Sequence, residues 1–117
     1  MNNQEYDYCN KQRHVHEVTG ITDYQNECGE CHNHRFATVS GEAISVGCSH
    51  VHEIKFRTDF ADDHYHEFCG KSGPAVDVGG GKHVHYAKAC TQSEDGHKHE
   101  FQVASLIESP TEFECPR

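Results

Sequence analysis

All twelve histidines of this 117-residue chain fall in six His-x-His triplets: His14/His16, His32/His34, His50/His52, His64/His66, His83/His85 and His97/His99. On an extended strand, residues i and i+2 project to one face, so each triplet sets two imidazoles side by side, about 6–7 Å apart. Imidazole is a good ligand for zinc, copper, iron and nickel. Paired rings on several strands suit convergence on a shared ion. A solitary His-x-His is a weak signal, compatible with surface histidines. Six of six, all phased to an apolar position, carry much more. The residue two places after each second histidine is Val18, Phe36, Ile54, Phe68, Ala87 or Phe101. On a strand it shares the histidines' face, so that face is the core face. The opposite face carries Glu17, Arg35, Glu53, Glu67 and Glu100 and reads as solvent. Helical periodicity gives no such division, so six strands are expected.

The strands repeat. The first, third and fifth triplets open HVHEVTGITD, HVHEIKFRTD and HVHYAKACTQ, with Thr22, Thr58 and Thr91 at the ninth place. The second, fourth and sixth open HNHRFATVSGEAISVG, HYHEFCGKSGPAVDVG and HKHEFQVASLIES. Turn formers join each odd triplet to the next even one: Asp62-Asp63, Glu94-Asp95-Gly96 and the longer stretch from Tyr24 to Glu30. These suit hairpins. Gly-rich links (Ser45 to Ser49, Asp77 to Lys82) return the chain. The expected fold is all-β: three internal repeats of a two-strand hairpin, each strand opening with His-x-His, around an approximate three-fold axis. Residues 13–108 form the domain; residues 1–12 and 109–117 read as terminal arms.

Both triplets of a hairpin sit at strand starts, so an antiparallel pair places them at opposite ends. Three hairpins then gather His14, His16, His50, His52, His83 and His85 at one end and His32, His34, His64, His66, His97 and His99 at the other. For seven-residue strands the ends lie about 20–25 Å apart. Six nitrogens make an octahedral set, which favours iron or nickel, iron slightly, over zinc with its four ligands, while copper stays open. A filled shell has no vacancy for substrate, which points to a structural role rather than an enzyme. Tetrahedral sites between neighbouring strands, or sites formed only between subunits, are the competing geometries. A metal buffer or sensor is the competing role.

Bulk properties agree with a need for cross-linking. Only 34% of residues are hydrophobic, thin for a domain of 13.2 kDa, and small domains with thin cores rely on metals, disulfides or oligomerisation. A net charge of -9 argues against nucleic-acid and anionic-membrane partners. No apolar run approaches the about 18 residues of a membrane span. The first residues lack a basic n-region and an apolar h-region, so a cytoplasmic location is expected over signal-driven export.

Seven cysteines leave at least one thiol outside any intrachain pair. Cys28-Gly-Glu-Cys31-His32 spells the haem c attachment motif. A monohaem electron carrier is therefore a rival reading, although haem attachment follows export and His32 already belongs to a triplet. A zinc pair or a redox disulfide fits the same Cys-x-x-Cys. Cys69 and Cys90 fall out of phase with the histidines and should point outward, while Cys9 and Cys115 sit in the arms. Such placement suits cross-links between subunits, in a fibre or a surface layer. Catalytic motifs are missing: Gly79-Gly80-Gly81-Lys82 has neither phosphate-loop spacing nor a following Ser or Thr. No small-molecule substrate is indicated.

The HVHE, DDHYHE and DGHKHEF segments with the SGPA stretch resemble the YmaF family of small bacterial proteins, found mainly in Gram-positive spore formers. The resemblance covers residues 14 to about 110 and implies a His-rich, non-enzymatic protein; seven cysteines are a departure from it. The triplets are also similar to the His-x-His segments of trimeric bacteriophage tail-fibre tips, where three chains wrap octahedral iron. That similarity is of motif alone.

Overall fold

The computed structural model of the protein describes residues 14–25 and 31–108, and every regular element in them is a strand. The alternation of buried and exposed residues after each triplet builds six five-residue strands: β1 (Glu17–Ile21), β2 (Arg35–Val39), β5 (Glu53–Arg57), β6 (Glu67–Lys71), β9 (Tyr86–Cys90) and β10 (Glu100–Ala104). They pair antiparallel as β1–β2, β5–β6 and β9–β10. The links that were expected only to return the chain are hairpins themselves. Here β3 (Ile44–Val46) pairs with β4 (Ser49–Val51), and β7 (Val76–Gly79) with β8 (Lys82–Val84). The fold is thus ten strands in five antiparallel hairpins rather than six in three. The sequence hid this because β3 and β7 are exposed along their whole length and have no buried face to alternate with.

Turn chemistry closes the β5–β6 and β9–β10 hairpins. Asp62 and Asp63 both have positive φ, as do Asp95 and Gly96, which is the signature of the two-residue turn that matches strand twist. Asp and Gly tolerate this backbone best.

Backbone hydrogen bonds also join one hairpin to the next. At the end near the turns, Asp23 N–H donates to Glu100 O, Asp59 N–H to Arg35 O and Gln92 N–H to Glu67 O. At the other end Gly41 N–H donates to Glu53 O, Gly73 N–H to Tyr86 O and Leu106 N–H to Glu17 O. The links therefore run from the first long hairpin to the second, the second to the third, and the third back to the first. They enclose one apolar layer of Val18, Phe36, Ile54, Phe56, Phe68, Ala87 and Phe101. Six of these are the positions read from the phase of the triplets; Phe56 is the seventh. Phe36 and Phe56 stack at 4.0 Å, and Phe101 meets both edge-on.

The expected outward thiols hold for Cys69 and Cys90, and Cys31 and Cys48 are exposed as well. No disulfide is formed among the described residues, so the structure gives no cross-link between cysteines. Cys9, Cys28 and Cys115, and the two arms, lie outside the described residues.

Candidate metal centres

Each triplet immediately precedes its five-residue strand rather than lying within it; only His50 in β4 and His83 in β8 belong to regular strands. The backbone pairing nevertheless continues through the triplets. His16 O, His52 O and His85 O accept from Ser40, Ser72 and Ser105 N–H, and His34 O, His66 O and His99 O accept from Thr22, Thr58 and Thr91 N–H. That pairing carries the alternating phase of each strand back to its histidines and turns them inward. Eleven of the twelve are buried, against seven buried hydrophobic residues; His14 is half-buried. More imidazole than hydrocarbon is hidden from water.

The rings collect in two groups. The first centre gathers His14, His16, His50, His52, His83 and His85, with one ring nitrogen of each within 4.8 Å of all the others. The second gathers His32, His34, His64, His66 and His99 on the same criterion, and His97 brings its Nε2 to 3.3 Å from that of His66 and 3.2 Å from that of His32. All twelve predicted ligands are therefore assembled, sorted by end as the antiparallel argument required. His16 and Thr22 mark the two ends of one hairpin, six residues or about 20 Å apart.

Within the first centre, edge-on ring contacts have centroids 4.4–5.1 Å apart. In the second they are 4.7–5.2 Å apart. In both, each ring touches every other ring except one. The exceptions come in pairs that face each other across the middle: His14 and His85, His16 and His50, His52 and His83; then His32 and His66, His34 and His97, His64 and His99.

The proton positions decide what the inward nitrogens are. The Nδ1–H of every second histidine donates to a backbone carbonyl of a neighbouring hairpin: His16 to Leu106, His34 to Asp59, His52 to Gly41, His66 to Gln92, His85 to Gly73 and His99 to Asp23, at 2.8–3.1 Å. His64 donates to Asp62 O at 2.9 Å and His97 to Asp95 O at 3.3 Å. A neutral imidazole protonated at Nδ1 has only a lone pair at Nε2. Yet the Nε2 atoms of His34 and His64 lie 3.2 Å apart, and those of His66 and His97 3.3 Å. These are lone pairs facing lone pairs. The buried Nε2 atoms of His52 and His99 have no hydrogen-bond partner among the described residues. Unpaired buried acceptors cost about 1–3 kcal/mol each; a cation at the middle of each group removes that cost. The residues present fit a metal ion.

The chain matches the YmaF family, described as spore germination protein GerY/YamF, over residues 11–107. It belongs to that family. Neither the comparison with curated proteins nor that with solved structures returned a match.

Around its centres this YmaF-family chain builds a hydroxyl collar that the triplets alone did not reveal. Thr22, Ser40, Thr58, Ser72, Thr91 and Ser105 are all buried. Each accepts the backbone N–H of a second histidine at 2.9–3.1 Å. Five of them also donate to the carbonyl of the following residue, at 2.8–3.1 Å. That carbonyl is the same one that receives a histidine Nδ1–H, so one short loop fixes rings from two hairpins. The signal was present in the sequence: a Thr or Ser stands six residues after every second histidine.

Carboxylates form a further layer, unevenly. Around the second centre Asp62, Asp59, Asp95 and Asp23 approach the Nδ1 of His32, His34, His64 and His99 at 3.3–3.5 Å. Around the first, Glu108 approaches His83 Nδ1 at 3.2 Å. Burial pushes down the pKa values of His14, His34, His50, His52, His66, His83, His85 and His99, furthest in the first centre: to about 3 for His14 and His85 and about 4 for His50. These rings stay neutral, as ligands must. His32, offered by the haem motif as an axial ligand, points into the second centre, while Cys31 beside it is exposed.

Proposed function

We propose that the protein is a structural metal-binding protein whose hairpins, related by an approximate three-fold axis, are clamped at each end by one six-coordinate transition-metal ion. The observation that carries this reading is the set of inward Nε2 atoms, 3.0–3.3 Å apart in both groups; in the second group His34 and His64, and His66 and His97, donate through Nδ1 and so bring lone pairs face to face. Geometry supports six ligands. Octahedron edges of that length put the vertices about 2.1–2.3 Å from the middle and opposite vertices about 4.2–4.7 Å apart, as six-coordination asks. The three facing pairs in each group are the trans pairs of that octahedron. A tetrahedral ion would leave two imidazoles idle.

Fe(II) and Ni(II) suit an all-imidazole octahedron better than zinc. Six protein ligands leave no open position, so the reading is of a protein without catalysis. Self-assembly into a fibre or a layer at the spore extends the reading, consistent with the family's description as a spore germination protein. Elemental analysis of protein purified from its own host tests the core of it. Two transition-metal ions per chain are expected. A metal-free protein that stays fully folded, or a Soret band in its absorption spectrum, would overturn it.

A further inference from the structure

The two centres contain the same six ligands but hold them differently. In the second, four ligands are backed by carboxylates, and two of these are themselves pinned: Asp23 Oδ1 accepts Glu100 N–H and Asp59 Oδ1 accepts Arg35 N–H, both at 3.1 Å. Such outer partners raise ligand basicity and fix ring orientation, and losing one costs about 10–100-fold in metal affinity. They also lower the net charge around a bound cation. In the first centre, among the described residues, Glu108 lies at ion-pair distance from a ligand ring, at His83, and Asp77 acts on the same ring.

The ligands at the first centre are also tethered unequally. His50 lies in β4, opposite Ser45, and His83 lies in β8, opposite Asp77; each is delivered by a hairpin that the preceding repeat supplies. His83 N–H also donates to Glu108 Oε1 at 3.0 Å. Among the described residues, no hairpin delivers His14. It lies outside any strand and is the one histidine that is not fully buried, and its Nδ1 has no hydrogen-bond partner among the described residues. Its ring is held by the rings around it and by whatever they share.

We infer that the two centres divide their roles: the first exchanges its ion with the surroundings through release of His14, and the second, ringed by Asp23, Asp59, Asp62 and Asp95, keeps its ion. This rests on the reading of both groups as metal centres. A closed octahedral ion cannot be reached by a competing ligand until one protein ligand leaves. The ligand with the weakest tether therefore sets the exchange rate, and chain segments with few contacts open most readily. Once His14 lets go, five imidazoles retain the ion and one position opens, to which water or a small nitrogen or oxygen ligand binds. The first centre is then responsive to the supply of a divalent transition-metal ion, while the second holds the hairpins together.

The test is ion release from protein loaded with two equivalents of Ni(II) and challenged with excess EDTA. Two phases of one equivalent each are expected, at least about 10-fold apart in rate. His14→Gln should speed the fast phase and leave the slow one unchanged. Asp59→Asn should speed the slow phase by about 10–100-fold and leave the fast one alone. Simultaneous loss of both ions from the wild type needs no variant to interpret and overturns the division of roles while leaving two metal centres standing. A fast phase indifferent to His14→Gln overturns it as well. Binding of fewer than two equivalents overturns the metal reading itself, and this inference with it.

Discussion

The middle of the molecule and its two ends hold the same hairpins together by opposite chemistry. In the middle, seven apolar side chains pack without polar groups, Phe36 flat on Phe56 and Phe101 edge-on to both. At the ends, imidazoles take the place of hydrocarbon, and carbonyls and carboxylates hold most of their outer nitrogens, His14 Nδ1 being an exception. The apolar layer is sufficient unto itself. The ends are not, because their inner nitrogens face one another. A core of seven side chains is thin for a domain of about 100 residues, and under the proposed function the remaining stability comes from an ion bound only by the folded state.

Removing that ion is the most severe way to break the contrast. A site filled at 1,000 times its dissociation constant adds about 4 kcal/mol, so two sites add about 8 kcal/mol. Chelation by EDTA, followed by circular dichroism, should lower Tm by more than about 15 °C. An unchanged Tm would mean that the middle suffices. Acid reaches the same groups by another route. Above the ordinary imidazole value of 6.5 both folded and unfolded chains are neutral, and stability is fully present. Below it the unfolded chain binds protons that the buried His14, His50 and His85 refuse until about pH 3–4, so stability falls as pH drops through that window. Burial is the main cause of these low values, with neighbouring imidazoles adding to it for all three and the Gly73 carbonyl partly offsetting it for His85. Metal is lost in the same direction because protons compete for Nε2. A pH series on apo and loaded protein should show both losing stability below about pH 6.5, the loaded form losing more; a flat apo profile would contradict the burial.

The apolar layer has its own test. Phe56→Ala should cost about 3–5 kcal/mol yet leave two ions bound per chain, since Phe56 touches no ligand network. Loss of metal along with stability would show that the middle and the ends are not separable.

Much of this division was legible in the residues. The spacing of the triplets gave the strands, their phase gave six of the seven core positions, and antiparallel pairing sorted the ligands by end. Three things were less visible. β3 and β7 have no buried face, so no periodicity marks them. Phe56 stands four places after His52, where the equivalent positions are Gly20, Thr38, Gly70, Ala89 and Val103; a core position that changes size from repeat to repeat gives no shared pattern. The hydroxyl collar was in plain view at a fixed spacing, but Ser and Thr read as ordinary turn residues until their partners are known, and those partners are backbone groups, which a sequence does not distinguish.

The variable position also supplies the smallest and most local prediction. Gly20 pairs with Phe36 across β1 and β2, and a Cβ there would sit 2.7 Å from Phe36 Cζ and 3.2 Å from Val103 Cγ2. Its φ is not in the left-handed region, so backbone freedom is not what glycine provides; space for the phenyl ring is. Gly20→Ala should improve strand propensity slightly and lose more by forcing Phe36 off Phe56, a net cost of about 1–3 kcal/mol. Pairing it with Phe36→Leu, which withdraws the ring edge, should recover part of that loss, so the double variant is more stable than the two single costs added together. Strict additivity, measured by urea denaturation of the metal-loaded protein, would show that the ring does not depend on the gap. The ends should be indifferent throughout, with two ions retained in all three variants.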